Sequence, residues 1–445
     1  MKFLIIGGDA AGMSAASRAK RNDPDMDVTV LEKTADVSYS ACGMPYNIAD
    51  PARDINDLVV RKAEVFRQKQ GIHLLTGHLA TAIDRAAKIV RGVDTQGQAF
   101  EHAYDQLLIA TGASAVRPDI PGAGLPGVLT LKSLNDGRKI KAYLASANVK
   151  TVVILGMGFI ALEMCEALRA RNINVIMTKP GQTFLPWLNS ELSAIVRQTV
   201  EAGGVQLCMG DAVERIERAN PLRVVCGAHS FEADMVLAGI GVTPNSGLAA
   251  DAGLALGPQK AVSVNHRMQT SDETIYAAGD CADAFHLVTG QKTWIPLALR
   301  ANRGGWAVAD NVCGRNVELP GITGTSVFKV LDLQVARTGL NVQEATDAGF
   351  SPVEVVITSR SRAHAHPGST DIRVQMVGDQ TTGRLLGVQM VGKEGVAHRI
   401  NAPAVALFNR MTVADFVQTD LAYAPPFGPV WDPMLTAANQ LLKDL

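Results

Sequence analysis

One unit is written twice in this chain, and that repetition limits the fold more than any other feature. The run Lys2-Phe3-Leu4-Ile5-Ile6 has the composition of a buried parallel strand. The turn Gly7-Gly8-Asp9-Ala10-Ala11-Gly12 follows, then a helical pattern over Met13 to Lys20, then a second strand, Val28 to Leu31, ending at Glu32. Strand, glycine turn, helix, strand and then an acid is the pattern of a dinucleotide site. Gly7 permits the tight turn and Gly12 the close packing of helix on strand. Free N–H groups at the helix start suit a pyrophosphate, and Glu32 suits ribose hydroxyls. The middle glycine of the pattern is replaced by Asp9, whose carboxylate repels a pyrophosphate unless it points away.

The second copy keeps that glycine. Thr151 to Leu155 is the strand, Gly156-Met157-Gly158-Phe159-Ile160-Ala161 the turn, Leu162 to Arg171 the helix and Asn174 to Met177 the next strand. Two dinucleotide sites in one chain are most economically explained by electron transfer between two bound dinucleotides. The second copy ends in Met177-Thr178-Lys179, where an acid would bind the ribose hydroxyls of NAD; Lys179 tilts the choice towards NADPH over NADH.

Composition excludes other classes. The 42 Lys and Arg balance 43 Asp and Glu, which argues against a nucleic-acid binder. The longest apolar stretch, Thr151 to Met164, holds two glycines and Glu163 and falls short of the ~20 residues of a membrane helix. The six cysteines form no C-x-x-C and no cluster with histidine, so neither a disulfide framework nor a metal site is expected. Most are expected to be reduced and buried, in a cytoplasmic protein.

Three further strand-to-turn exits fit an open α/β sheet: Tyr104 to Gly112, Met235 to Gly241, and Thr274 to Asp280. From about Gly324 the pattern changes. SVFKVLDLQVA, VEVVITS, DIRVQMVG and LLGVQMVG read as antiparallel strands, followed by a helix over about Val396 to Arg410. The fold class is therefore α/β: two Rossmann-like dinucleotide-binding domains plus a C-terminal α+β domain.

The segment Ser38-Tyr39-Ser40-Ala41-Cys42-Gly43-Met44-Pro45-Tyr46 resembles the redox-cysteine motif of the single-cysteine pyridine nucleotide–disulfide oxidoreductases. That group holds CoA-disulfide reductases, CoA-persulfide reductases, NADH oxidases and NADH peroxidases. Ala277-Ala278-Gly279-Asp280-Cys281-Ala282 resembles the second FAD motif of the family, and Ala422-Tyr423-Ala424-Pro425-Pro426-Phe427 the CoA-disulfide reductase C-terminus. The resemblance spans essentially the whole chain. It implies an FAD-binding domain over 1–115 and 246–323, an NAD(P)-binding domain over 116–245, and a dimerisation domain over 324–445. FAD would lie on Gly7, Gly12, Glu32, Lys33, Ala80, Thr111, Gly112, Asp280 and Ala298. NADPH or NADH would lie on Gly156, Gly158, Ile160 and Glu163, with Lys179 beside it and Gly241 closing over it. A homodimer would share its active sites, with Tyr423 delivered to the partner subunit.

Cys42 just precedes a helix whose first turn contains Pro45. Free N–H groups there are expected to lower its pKa and favour the reactive thiolate. The dithiol branch carries its second cysteine where this chain has Val37, so Cys42 must relay electrons to an external acceptor: a small disulfide, a persulfide or a peroxide. Oxidase and peroxidase relatives carry a histidine near position 10; Ala10 here disfavours that chemistry. CoA-using relatives place polar and basic residues where this chain has Ser14, Arg18 and Arg21, with Ser38 and Asn302 as further contacts. Two departures stand out. His366 occupies the place of the second active-site tyrosine and, titrating near neutrality, suits protonation of a leaving thiolate. Trp431 replaces a lysine for the CoA phosphate, which opens the acceptor to other low-molecular-weight disulfides or persulfides. The expected activity is NAD(P)H-driven reduction of CoA disulfide or CoA persulfide through Cys42. An NADH oxidase or peroxidase is the alternative enzyme. A flavin-based redox sensor or electron-transfer module docking a protein is the alternative of another class.

Overall fold

The computed structural model describes residues 1–445. Its first sheet has five strands in the order Ile275–Ala277, Gln106–Ile109, Lys2–Ile6, Asp27–Glu32, His73–Thr76. All neighbours run parallel, with Ile5 opposite Val30 on one side and Leu108 on the other. Burial on both faces explains why these strands are continuous Val/Ile/Leu runs. The second sheet repeats the design in the order Val205–Met209, Asn174–Lys179, Thr151–Leu155, Met235–Ala238, Val128–Thr130, again wholly parallel. The third sheet is antiparallel: Ser326–Val330, Leu333–Gly339, Leu385–Gly392, Asp371–Asp379, Pro352–Arg360. No helix is long and apolar enough to cross a membrane.

Some element bounds differ from the sequence reading. The run SVFKVLDLQVA is two strands, because the chain reverses at Leu331, which takes φ 53°. The helix expected over Val396 to Arg410 is two, Val396–Arg399 and Asn401–Phe408. Pro403 sits in the first turn of the second, where its missing N–H is tolerated. Two three-stranded antiparallel layers, His78–Ala103 and Val213–Ala233, lacked a distinct signature.

The first glycine turn leads into the helix Ala10–Asn22, which packs along the helix Ala298–Val312. Their approach is close because both carry small residues. A Cβ on Gly305 would stand 2.2 Å from the Ala11 carbonyl oxygen. Gly305→Ala is therefore expected to destabilise the first nucleotide-binding unit by about 1–3 kcal/mol, the usual cost of overpacking. A lowered thermal midpoint with easier loss of bound flavin is the expected observation; an unchanged midpoint would contradict it.

Candidate active site

Both glycine turns open into one cavity of about 2700 Å³. That exceeds the ~300–1,000 Å³ of a pocket for one small ligand and suits two dinucleotides. Its walls include Gly7, Glu32, Lys33, Ala80, Thr111, Gly112, Asp280 and Ala298 from the first unit. From the second come Gly156, Gly158, Ile160, Glu163, Lys179 and Gly241. The carboxyl ends of the two parallel sheets thus face a common space, where ligands of such sheets bind.

The two turns differ in how they meet a ligand. Gly7 takes φ +113° and its Cβ would lie 2.1 Å from the Ala110 carbonyl oxygen, so no other residue fits. No protein atom lies within 4 Å of where a Cβ on Gly158 would stand, which leaves an open cradle for a pyrophosphate. In the first turn Asp9 fills that place. Its carboxylate faces the Tyr39 backbone, Lys132, Glu32 and Asp280. Glu32 is buried and accepts from Gly8 N at 2.8 Å and from Thr34 N and Oγ1 at 2.7 Å each. It therefore holds the turn in shape, besides lining the place expected for a ribose. Asp280 is paired with Lys132 at 3.0 Å. Thr111 Oγ1 donates to the Asn245 carbonyl at 2.6 Å, which ties the first unit's turn to the exit of the second unit. The Lys179 ammonium lines the cavity and donates to the Thr183 carbonyl at 2.7 Å.

Cys42 lies in a single 3₁₀ turn, Ala41–Gly43, directly before the helix Met44–Ala49. It is exposed to the cavity, whereas Cys165, Cys208, Cys226 and Cys281 are buried and Cys313 is half-buried. The expected lowering of its pKa is not seen. Partial burial pushes the thiol up, the Glu163 carboxylate adds to this, and Lys132 opposes it. Asp280 and Asp9 raise it further. The six-residue helix offers little field, and the sulfur precedes it among carboxylates. Thiolate at this site therefore depends on Lys132 and on whatever the cavity holds.

The residues expected to touch substrate lie outside that cavity. Ser14 Oγ donates to Asn302 Oδ1 at 2.6 Å, which joins the two helices. Arg18 is bound by Asp310 through two hydrogen bonds of 2.8 and 2.7 Å and lies 5.3 Å from the Trp306 ring centroid. Its guanidinium is thus shared with Asp310 at the place where the resemblance implies a contact to substrate. Arg21 is exposed, and Ser38 is half-buried with φ 48°. Tyr423 is exposed and His366 half-buried, with His366 Nδ1 3.0 Å from the Pro367 carbonyl. Their two segments are joined by Ala363 N donating to the Pro425 carbonyl at 3.0 Å. Neither residue lines the cavity that holds Cys42. Trp431, eight positions after Tyr423, is exposed. Sequence reasoning gave no role to Lys132 or Tyr46. Tyr46 had a usable signal, since it stands four residues after Cys42 at the start of a helix.

Burial raises the Asp9 carboxyl from its ordinary 3.8 to about 6. The native state therefore favours the protonated form, and stability falls as pH rises through that interval. Asp9→Asn removes the penalty. It is expected to be more stable than the parent above pH ~6 by up to about 3 kcal/mol, with the difference vanishing below pH ~3. A stability difference independent of pH in denaturant titrations would refute this.

Comparison with known proteins agrees with this geometry. Residues 1–305 match the family described as pyridine nucleotide-disulphide oxidoreductase, and residues 325–434 match the dimerisation domain of that family. The chain is similar to an NAD(P)H sulfur oxidoreductase (CoA-dependent) of Pyrococcus abyssi, 40% identical over 98% of this chain and 97% of that one. An NADH oxidase of Methanocaldococcus jannaschii is 32% identical over 100% of this chain and 99% of its own. Among solved structures, an NAD-dependent persulfide reductase from A. fulgidus superposes with a TM-score of 0.96 at 36% identity, covering 100% of this chain and 83% of that one.

Proposed function

Because the chain belongs to the pyridine nucleotide-disulphide oxidoreductase family, we propose that it is an FAD-dependent, NAD(P)H-driven reductase of CoA persulfide or CoA disulfide, acting through Cys42. The observation that carries this reading is a single cysteine exposed in the cavity that both glycine turns share. Val37, where the dithiol branch has its second cysteine, is a buried aliphatic side chain, so no local disulfide forms.

The first glycine turn, Glu32, Thr111, Gly112 and Asp280 would hold FAD; the second turn, Glu163 and Lys179 would hold NAD(P)H. The domain division that suits this is 1–115 with 246–323, 116–245, and 324–445. Bound together, the two cofactors supply the electron pair that cleaves a disulfide at Cys42. The residues of the chain do the rest. The Cys42 thiolate attacks one sulfur of R–S–S–R, forming Cys42–S–S–R and releasing RS⁻. With R–S–S–H it takes the outer sulfur and leaves Cys42–S–SH and RS⁻. The released thiolate takes a proton, and a general acid speeds that step. The segments that carry Tyr423 and His366 are joined by the Ala363–Pro425 hydrogen bond, and neither residue lines the cavity that holds Cys42 of their own chain. In the homodimer that the dimerisation domain supports, they serve Cys42 of the partner subunit. The free thiols suit a reducing compartment such as the cytoplasm. The oxidase reading draws on the relative of that name; Ala10, where oxidase relatives carry a histidine, counts against it.

Cys42→Ser is expected to retain FAD and to lose turnover with disulfides and persulfides alike by at least about two orders of magnitude. Unimpaired steady-state disulfide reduction would overturn the assignment. Oxygen consumption exceeding disulfide reduction in the unaltered enzyme would favour the oxidase reading. Lys179→Ala is expected to raise the KM for NADPH about tenfold, the equivalent of ~1.4 kcal/mol, and to leave that for NADH nearly unchanged. Equal effects on both would remove Lys179 from phosphate recognition.

A further inference from the structure

Two helices rooted in different parts of the fold meet beside the redox sulfur. Tyr46 stands on the helix Met44–Ala49, one turn beyond Cys42. Glu163 stands on the helix Phe159–Ala170, just past the second glycine turn, and lines the cavity. The two helices pack together, and the Tyr46 phenol donates to Glu163 Oε1 at 2.9 Å. Tyr46 is 44% exposed, so core packing alone does not account for it. No step derived above uses its hydroxyl.

We propose that Tyr46 is a positioning residue that pins the Glu163 carboxylate between the dinucleotide turn and Cys42, so that one hydrogen bond couples the nicotinamide site to the reactivity of the sulfur. This rests on Cys42 being the reactive thiol. The charges around the bond define what it does. Cys42 faces Glu163, Lys132, Asp280 and Asp9 as well as Tyr46. Glu163 faces Tyr46 and Glu166, and Glu166 is held in turn by Lys329. Burial favours the protonated form of Glu163, while the phenol's hydrogen bond favours the carboxylate. An ionised Glu163 opposes ionisation of Cys42. Loss of the phenol hydroxyl therefore frees the carboxylate to swing from Cys42 toward the open cavity, which weakens its opposition to ionisation of the thiol. A merely structural role for Tyr46 does not predict a more acidic thiol.

The test uses the reduced, flavin-loaded enzyme and the rate of Cys42 alkylation by iodoacetamide across neutral and alkaline pH. Tyr46→Phe and Glu163→Gln are each expected to move the alkylation curve to lower pH. Alkylation at neutral pH should be about threefold faster, the change in thiolate that a shift of ~0.5 pKa unit produces. The double variant is expected to match Glu163→Gln alone, since the tyrosine acts through the glutamate. Tyr46→Phe should also raise the KM for NAD(P)H more than it lowers kcat. A Tyr46→Phe curve that is unmoved or displaced to higher pH overturns the proposal. An unmoved Glu163→Gln curve does so even if Tyr46→Phe fails to fold, and so does an additive double variant. Turnover retained by Cys42→Ser would instead remove the reading of Cys42, while the alkylation curves would still report the Tyr46–Glu163 coupling.

Discussion

The site is built on the direction of peptide strands. Every neighbouring pair in the first two sheets is parallel, so within each sheet the carboxyl ends point one way. Each glycine turn leaves its sheet at that end and starts a helix there. Because both turns face one cavity, two dinucleotides held by separate units reach a common space. Cys42 need contribute only a short turn at the wall of that space.

Electrostatics then works against the sulfur. Four acidic or phenolic neighbours and one lysine face Cys42, and the lysine is already paired with Asp280. A resting thiol in such surroundings is protected from indiscriminate reaction, because the thiolate is the nucleophile. Reactivity becomes conditional on charge brought into the cavity or on a proton taken up by a neighbouring carboxylate. Asp9 adds to this balance, since its buried carboxyl changes state near pH 6 and not in the usual acid range.

Much of this was legible in the residues. The doubled strand–turn–helix unit placed Lys2–Ile6 and Thr151–Leu155 at the centres of their sheets, because buried parallel strands are apolar on both faces. Cys42 was legible because its motif is local in sequence. The state of its thiol was not, since the upward shift arises first from burial and then from Glu163 and Asp280, against Lys132, and only the tertiary fold sets these. Arg18 shows the same limit: its partner Asp310 lies on another helix, 292 positions along the chain. The break at Leu331 was hidden because Val330 and Leu333 keep the run apolar to either side of it, past Asp332.

The clasp between Arg18 and Asp310 bears on molecular recognition. Both edges of the guanidinium fork that meet the carboxylate are spent, and its flat side lies over an indole that stays 46% exposed. A visitor to this face of the helix pair meets a guanidinium tethered by Asp310, a carboxylate that Arg315 shares, and not a freely swinging cation. What the face offers is a cation fixed in place beside an indole, so the spacing of the two groups counts along with the charge.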